Sequence, residues 1–95
     1  MNESYIKIAD ALNTLYELEN ELKIKDFSPN ELKVFYTVIN LSAFHEFGSN
    51  ISEVVQNSSM SRSTVYKTLK KLSNLNIIST IQSESDGRES LIKLN

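Results

Sequence analysis

The stretch Asp26-Phe27-Ser28-Pro29-Asn30-Glu31-Leu32 constrains this chain more than any other. Ser28 is placed as an N-cap, because its hydroxyl can accept from a free backbone N–H of the first helical turn. Pro29 suits the first helical position, where a missing N–H costs nothing. Glu31 completes a capping box by reaching back to the Ser28 N–H, and Phe27 and Leu32 are spaced for a hydrophobic staple. A helix must therefore start at Pro29, and any helix before it must stop short of Ser28. Leu32, Phe35, Val38 and Ile39 give it a buried face through about Leu41. Residues 28–42 thus read as a scaffold helix, with a structural rather than a chemical role.

Upstream, the spacing predicts a long helix from residue 2 to about residue 24, within a segment spanning 1–25. Tyr5, Ile8, Ala9, Leu12, Leu15, Tyr16, Leu18 and Leu22 cover roughly half its circumference, wider than the stripe of about 100° that a one-sided surface helix needs. The excess points to a second subunit, with Tyr5, Ile8, Leu12, Leu15 and Leu22 as dimerisation residues. Glu3–Lys7, Glu19–Lys23 and Glu21–Lys25 are i,i+4 pairs in the favourable order. Glu19 falls inside the apolar arc and interrupts a continuous coiled-coil seam.

Downstream, Ala43 to Ser49 reads as a loop containing His45. With no second His and no Cys, that residue is expected to be a surface histidine and not a metal ligand. Asn50-Ile51-Ser52-Glu53 is a second capping box and opens a short helix to about Asn57. Gln56 to Ser59 reads as a polar turn, with Met60 packing inward. Ser61 then caps a fourth helix, whose Val65, Leu69 and Leu72 share a core-facing side. Arg62, Ser63, Tyr66, Lys67 and Lys70 share another side, with cations, hydroxyls and one aromatic but no acid. Short helix, turn and basic helix over 50–73 make a helix-turn-helix, in which the second helix enters the major groove. Arg can fork onto guanine there, and Ser or Thr can reach phosphates or base edges.

Asn76 stands where the chain must leave that helix, and Asn tolerates the left-handed conformation. Ile77 to Ser83 and Arg88 to Leu94 read as strands, joined by Glu84-Ser85-Asp86-Gly87, where Asp-Gly is a hairpin signal. A hairpin over 77–94 directly behind a basic helix is a wing. Arg88 at its tip can reach a phosphate or a narrow A·T-rich minor groove, or can pair with Asp86 or Glu84.

Charge placement agrees with this division. Residues 1–55 carry four Lys against nine acids, a net of −5, while residues 56–95 carry four Lys and two Arg against three acids, a net of +3. Local rather than total charge draws phosphates. The absence of Cys excludes disulfides and thiol catalysis. No apolar run has the length of a membrane span, and Met-Asn-Glu-Ser lacks the features of a signal peptide. No nucleophile–base pair, glycine-rich phosphate loop or metal-spaced ligand set is present. A cytoplasmic protein that is not an enzyme and has no cofactor is expected.

Three segments, Met60 to Leu72, Leu75-Asn76-Ile77-Ile78 and Ser85-Asp86-Gly87-Arg88-Glu89-Ser90-Leu91-Ile92-Lys93-Leu94, resemble the MarR family of winged helix-turn-helix regulators. The long first helix and the Phe-Ser-x-x-Glu start of the second are similar to its compact SarA-type branch. The resemblance implies a bacterial dimeric transcription regulator that reads a pseudo-palindromic site, one recognition helix per subunit. It places Arg62, Ser63, Thr64 and Lys67 at DNA-reading positions and Arg88 at the wing tip. Asn76 stands where that family usually has Gly. The sequence ends right after the hairpin, so dimerisation is expected to rest mainly on the first helix, without a small-molecule effector.

The expected fold is a single winged helix-turn-helix domain over 1–95, mainly α with a small β-hairpin wing (α+β). The expected function is sequence-specific binding of double-stranded DNA as a homodimer, with no membrane involvement. Arg62 would read a base, Ser61, Ser63 and Thr64 would contact phosphates or base edges, and Tyr66, Lys67, Lys70 and Arg88 would hold the backbone or the minor groove. The alternatives are a winged-helix protein-interaction module, such as an antirepressor or adaptor, and plasmid or phage replication or partition control.

Overall fold

The computed structural model describes residues 1–44, 48–82 and 90–95. The elements run α1 (Glu3–Glu21), α2 (Pro29–Phe44), β1 (Ser49–Asn50), α3 (Ile51–Ser58), α4 (Arg62–Asn74), β2 (Ile78–Gln82) and β3 (Ser90–Leu94). This is the expected α+β winged helix-turn-helix, with one strand more than expected.

The caps decide where the helices start. The Ser28 N–H donates to Glu31 Oε1 at 2.9 Å, and the Glu31 N–H donates to Ser28 Oγ at 3.2 Å. The Asn50 N–H donates to Glu53 Oε1 at 3.1 Å, and the Glu53 N–H donates to Asn50 Oδ1 at 2.8 Å. Both boxes satisfy donors that would otherwise face water or the core.

α1 ends earlier than its apolar spacing suggests. Lys23 adopts φ +64°, and the next residue, Ile24, turns inward and is fully buried. The Ile24 N–H closes the turn on the Glu19 carbonyl at 3.0 Å. Lys23 and Lys25 therefore lie beyond the helix, and of the three expected i,i+4 pairs only Glu3–Lys7 lies wholly within it, at 3.8 Å. Glu19 instead accepts a hydrogen bond from Tyr36 Oη on α2. Burial, and then the Glu19 carboxylate, raise the Tyr36 pKa well above its ordinary value.

The core lies between α2, α3, α4 and the sheet, and includes Val34, Phe35, Val38, Val54, Val65, Leu69, Leu72, Ile78 and Ile92. The expected α2 face is shifted. Phe35 and Val38 are buried and Leu32 is half-buried, but Val34 replaces Ile39, which is 38% exposed. Ile39 borders an open groove, whereas Val34 lies with the residues that close the core. α3 also runs one residue further than expected, to Ser58, so the turn is Ser59-Met60-Ser61 and not Gln56 to Ser59. Ser59 sits in the left-handed region at φ 58°, ψ 24°.

β1 begins at Ser49, the last residue of the segment expected as loop. It is a two-residue strand that joins an antiparallel sheet in the order β1-β3-β2. Ser49 pairs with Ile92, and Ile78, Thr80 and Gln82 pair with Leu94, Ile92 and Ser90. Gly48 makes the close approach possible. Its φ is +101°, and a Cβ there would stand 2.6 Å from the Ile92 carbonyl oxygen. Asn76 is left-handed as expected, at φ 61°. Of the expected runs 77–83 and 88–94, the described residues show strand over Ile78–Gln82 and Ser90–Leu94, and residues 83, 88 and 89 lie outside the description. The Asp86-Gly87 turn, Arg88 with its acid neighbours, and His45 all fall outside the described residues.

Candidate nucleic-acid interface

α4 is held from behind and displayed in front. Val65 and Leu72 are fully buried and Leu69 is 8% exposed, so one side of the helix is core. Thr68 is also fully buried, and its hydroxyl donates to the Thr64 carbonyl at 2.8 Å. On the opposite side Arg62, Ser63, Tyr66, Lys67 and Lys70 are exposed. Their spacings of one, three, one and three keep them on one face across more than two turns.

The start of α4 is built from its own side chains. The Thr64 N–H donates to Ser61 Oγ at 3.1 Å, and the Ser61 hydroxyl donates to Thr64 Oγ1 at 3.0 Å. Ser61 is therefore a working N-cap, and Thr64 is half-buried behind it. The first turn carries no acid, so the positive end of the helix dipole is not neutralised locally. Donors, a helix N-terminus and three cations on one exposed face form a surface that suits phosphates and base edges.

α3 braces this surface. Arg62 Nη2 donates to Ser52 Oγ at 3.2 Å, across the turn of the helix-turn-helix. The Met60 N–H donates to the fully buried Ser58 hydroxyl at 3.2 Å. The turn is thus fixed by the last side chain of α3, and the leading Arg of α4 is held by the same helix.

Two residues of this site were not anticipated. Ser52 reads as a mere filler of its capping box, and no local spacing links it to Arg62 ten positions on. Lys71, another cation of α4, faces the other way. Its Nζ lies 2.7 Å from Glu31 Oε2 and 5.5 Å from the centre of the Phe27 ring. The Lys71 ammonium, with the Ser28 N–H, lowers the Glu31 pKa below its ordinary value. Lys71 therefore ties α4 to the start of α2, and Lys67 and Lys70 are the lysines of α4 left on the exposed face.

Among the described residues no three His, Cys, Asp or Glu gather as a metal site, and no helix is long and apolar enough to cross a membrane. The expected dimerisation residues lie on α1, which has no buried residue, and at its C-cap Leu22: Tyr5, Ile8, Leu12 and Leu22 are exposed and Leu15 is half-buried.

A helix-turn-helix with a basic second helix and a β-ribbon behind it defines a winged-helix transcriptional regulator. The solved structures with this fold include PcaV from Streptomyces coelicolor in complex with its natural ligand, at 21% identity and a TM-score of 0.62, over 93% of this chain and 60% of that one. A MepR variant from S. aureus bound to an oligodeoxyribonucleotide matches at 18% and 0.64, over 100% of this chain and 67% of that one. M. tuberculosis MOSR in complex with DNA matches at 14% and 0.56, over 100% and 65%. PcaV and MepR are MarR-family regulators, and the chain spans 60% of the length of the first and 67% of the second. None of the curated proteins compared matches the sequence.

Residues 22–92 match the family described as sugar-specific transcriptional regulator TrmB. The chain belongs to the TrmB family. That family is described as one of transcriptional regulators. The resemblance to the MarR family thus holds for the fold, while the family match is to TrmB.

Proposed function

We propose that this chain is a sequence-specific DNA-binding regulator that acts as a homodimer on a pseudo-palindromic site, with α4 in the major groove. The observation that carries this reading is the exposed, acid-free row Arg62, Ser63, Tyr66, Lys67 and Lys70, on a helix whose other side is locked into the core. Arg62 reads a base, with guanine its natural partner. Ser61, Ser63 and Thr64 contact phosphates or base edges, and Tyr66, Lys67 and Lys70 hold the backbone. Arg88 reaches the flanking minor groove. The DNA-bound states of the MepR variant and MOSR support the same class of partner here. A two-fold dimer places its recognition helices one DNA turn apart, about 34–36 Å.

The test is selection of the purified protein against random duplex DNA at moderate salt, with its mass in solution measured alongside. An inverted repeat should be enriched. Arg62→Ala should cost roughly 1–3 kcal/mol on that repeat and relax the sequence preference. Lys70→Ala should weaken all sequences alike and flatten the salt dependence by about one unit of slope. Equal affinity of wild type and Arg62→Ala for the selected duplex would refute the assignment.

A further inference from the structure

α1 carries a feature that the proposed function leaves open. Its apolar positions Tyr5, Ile8, Leu12, Leu15, Glu19 and Leu22 are spaced three, four, three, four and three apart, which is a heptad seam. Glu19 is the one polar member, and Tyr36 of the same chain already binds it. The end of the seam is thus turned onto its own α2. Among the described residues the stretch from Tyr5 to Leu12 is largely uncovered, with Tyr5 63% exposed, Ile8 57% and Leu12 41%, and Leu15 is half-buried.

We infer that this stretch packs antiparallel against α1 of a second copy, with the two-fold axis beside residue 10. The inference rests on the homodimer reading above and specifies its interface. An isologous contact must be complementary to itself when the chain direction is reversed. Reversal about residue 10 brings Tyr5 opposite Leu15, Ile8 opposite Leu12 and Ala9 opposite Ala11. Apolar meets apolar at every layer, and the small pair sits at the centre, where it lets the two backbones approach. The positions flanking the seam are Ser4, Ala9, Ala11, Tyr16 and Leu18, so no charge lies on or beside it between residues 4 and 18. Glu3, Lys7, Asp10 and Glu17 all fall on the far side.

A parallel pair fits worse. It would bring the two copies of Glu19 to the same level of the seam, where like charges repel. It would also set both DNA-binding bodies at one end. The antiparallel pair sets them at opposite ends. Glu21 lies eleven residues from the axis, so the two helix ends stand about 33 Å apart at 1.5 Å per residue. That separation is close to the about 34–36 Å between successive major grooves on one side of DNA. The molecule is also elongated enough for this arrangement, at 53 × 24 × 24 Å. Tyr5, Ile8, Leu12, Tyr16 and Leu18, each 41–63% exposed, supply the apolar surface for the contact.

The chain has no Cys, so single-cysteine variants give an unambiguous test. Ile8→Cys and Leu12→Cys are purified separately, mixed, exchanged under reducing conditions and then oxidised gently. The expected result is a cross-linked species of two chains in the mixture, with little from either variant alone and none from Asp10→Cys on the far side. Leu12→Glu should raise the dimer dissociation constant roughly 100-fold or more, because it places a charge in each half of the seam. Efficient cross-linking of Ile8→Cys to itself would make the helices parallel and overturn the inference. A dimeric mass without a cross-link would move the interface elsewhere and also overturn it, as would a monomeric wild type. Binding of the same proteins to random duplex DNA separates this inference from the function. A monomer that still selects a site keeps the regulator and sinks the interface, and a cross-linked dimer that selects none does the reverse.

Discussion

Replacing Glu31 by Gln isolates one charge in the scaffold that carries α4. Gln fits a capping box as Glu does, so the Ser28 N–H, now 2.9 Å from Glu31 Oε1, keeps an acceptor. What disappears is the ion pair with Lys71, 2.7 Å long, between a carboxylate side chain 6% exposed and an ammonium side chain 42% exposed. An exposed pair is worth about 0–1 kcal/mol, and breaking a buried one costs roughly 3–5 kcal/mol. A pair with one side buried falls between, and Gln no longer has to bury a charge. The expected loss is therefore about 1–2 kcal/mol. Lys71→Met should cost more, about 2–3 kcal/mol, because it leaves the carboxylate buried and unpaired.

The pH dependence gives the sharper test. The folded pKa of Glu31 lies below its ordinary value of 4.5, chiefly because of the Lys71 hydrogen bond and then the Ser28 N–H. The unfolded chain thus binds more protons across that window, and stability rises with pH there. The contribution of Glu31 is complete above 4.5 and fades as pH falls through the lowered folded value. Urea midpoints of wild type and Glu31→Gln, at one protein concentration, should differ at pH 7 and converge towards pH 3. A gap below about 0.5 kcal/mol at pH 7, or one that stays constant down to pH 3, would show that the pair does not brace α4.

Three further outcomes follow from single positions. Gly48→Ala should cost about 3 kcal/mol or more by urea unfolding, because its Cβ would meet the Ile92 carbonyl at 2.6 Å in a backbone with φ +101°; a loss under 1 kcal/mol would mean that β1 can shift freely. Ser59→Gly should stabilise by about 0.5–1 kcal/mol in the same assay, since Ser59 is exposed and left-handed at φ 58°; any loss would show that the serine side chain supports the turn. Ser52→Ala removes the 3.2 Å contact to Arg62. It should weaken binding to a selected duplex by about 0.5–1 kcal/mol without changing the salt slope, and a changed slope would instead place Ser52 on a phosphate.

What the sequence made legible is what depends on neighbours within four residues. Ser28 with Glu31, Asn50 with Glu53, Ser61 before α4 and Asn76 after it are local devices, and each is where its spacing put it. The inward triad of Val65, Leu69 and Leu72 and the outward row on α4 follow from a 3.6-residue period alone. The errors have another source. Ile24 falls within the run expected as helix, yet it is drawn out of α1 into the core, and Lys23 takes a left-handed turn to allow it. Ile39 and Val34 are equally apolar, and which of them is buried depends on where α3, α4 and the sheet stand. A two-residue strand such as β1 has no period to detect, and only its pairing of Ser49 with Ile92 and Asn50 with Leu91 defines it.

Glu19 shows how a local irregularity becomes intelligible only through a distant partner. Within α1 it looks like a flaw in an apolar seam. Across 17 residues, Tyr36 supplies the hydroxyl that makes the carboxylate acceptable in a half-buried place. The contact also divides the helix. Beyond Glu19 the chain is committed to its own body through Ile24, and before it Tyr5, Ile8 and Leu12 stay exposed. A leucine at this position would lengthen the seam but lose that division, and with it the fixed register from which residue 10 emerges as the centre. Under the proposed pairing of α1 with a second copy, one polar residue with an internal partner separates the helix's two tasks better than a longer apolar face would.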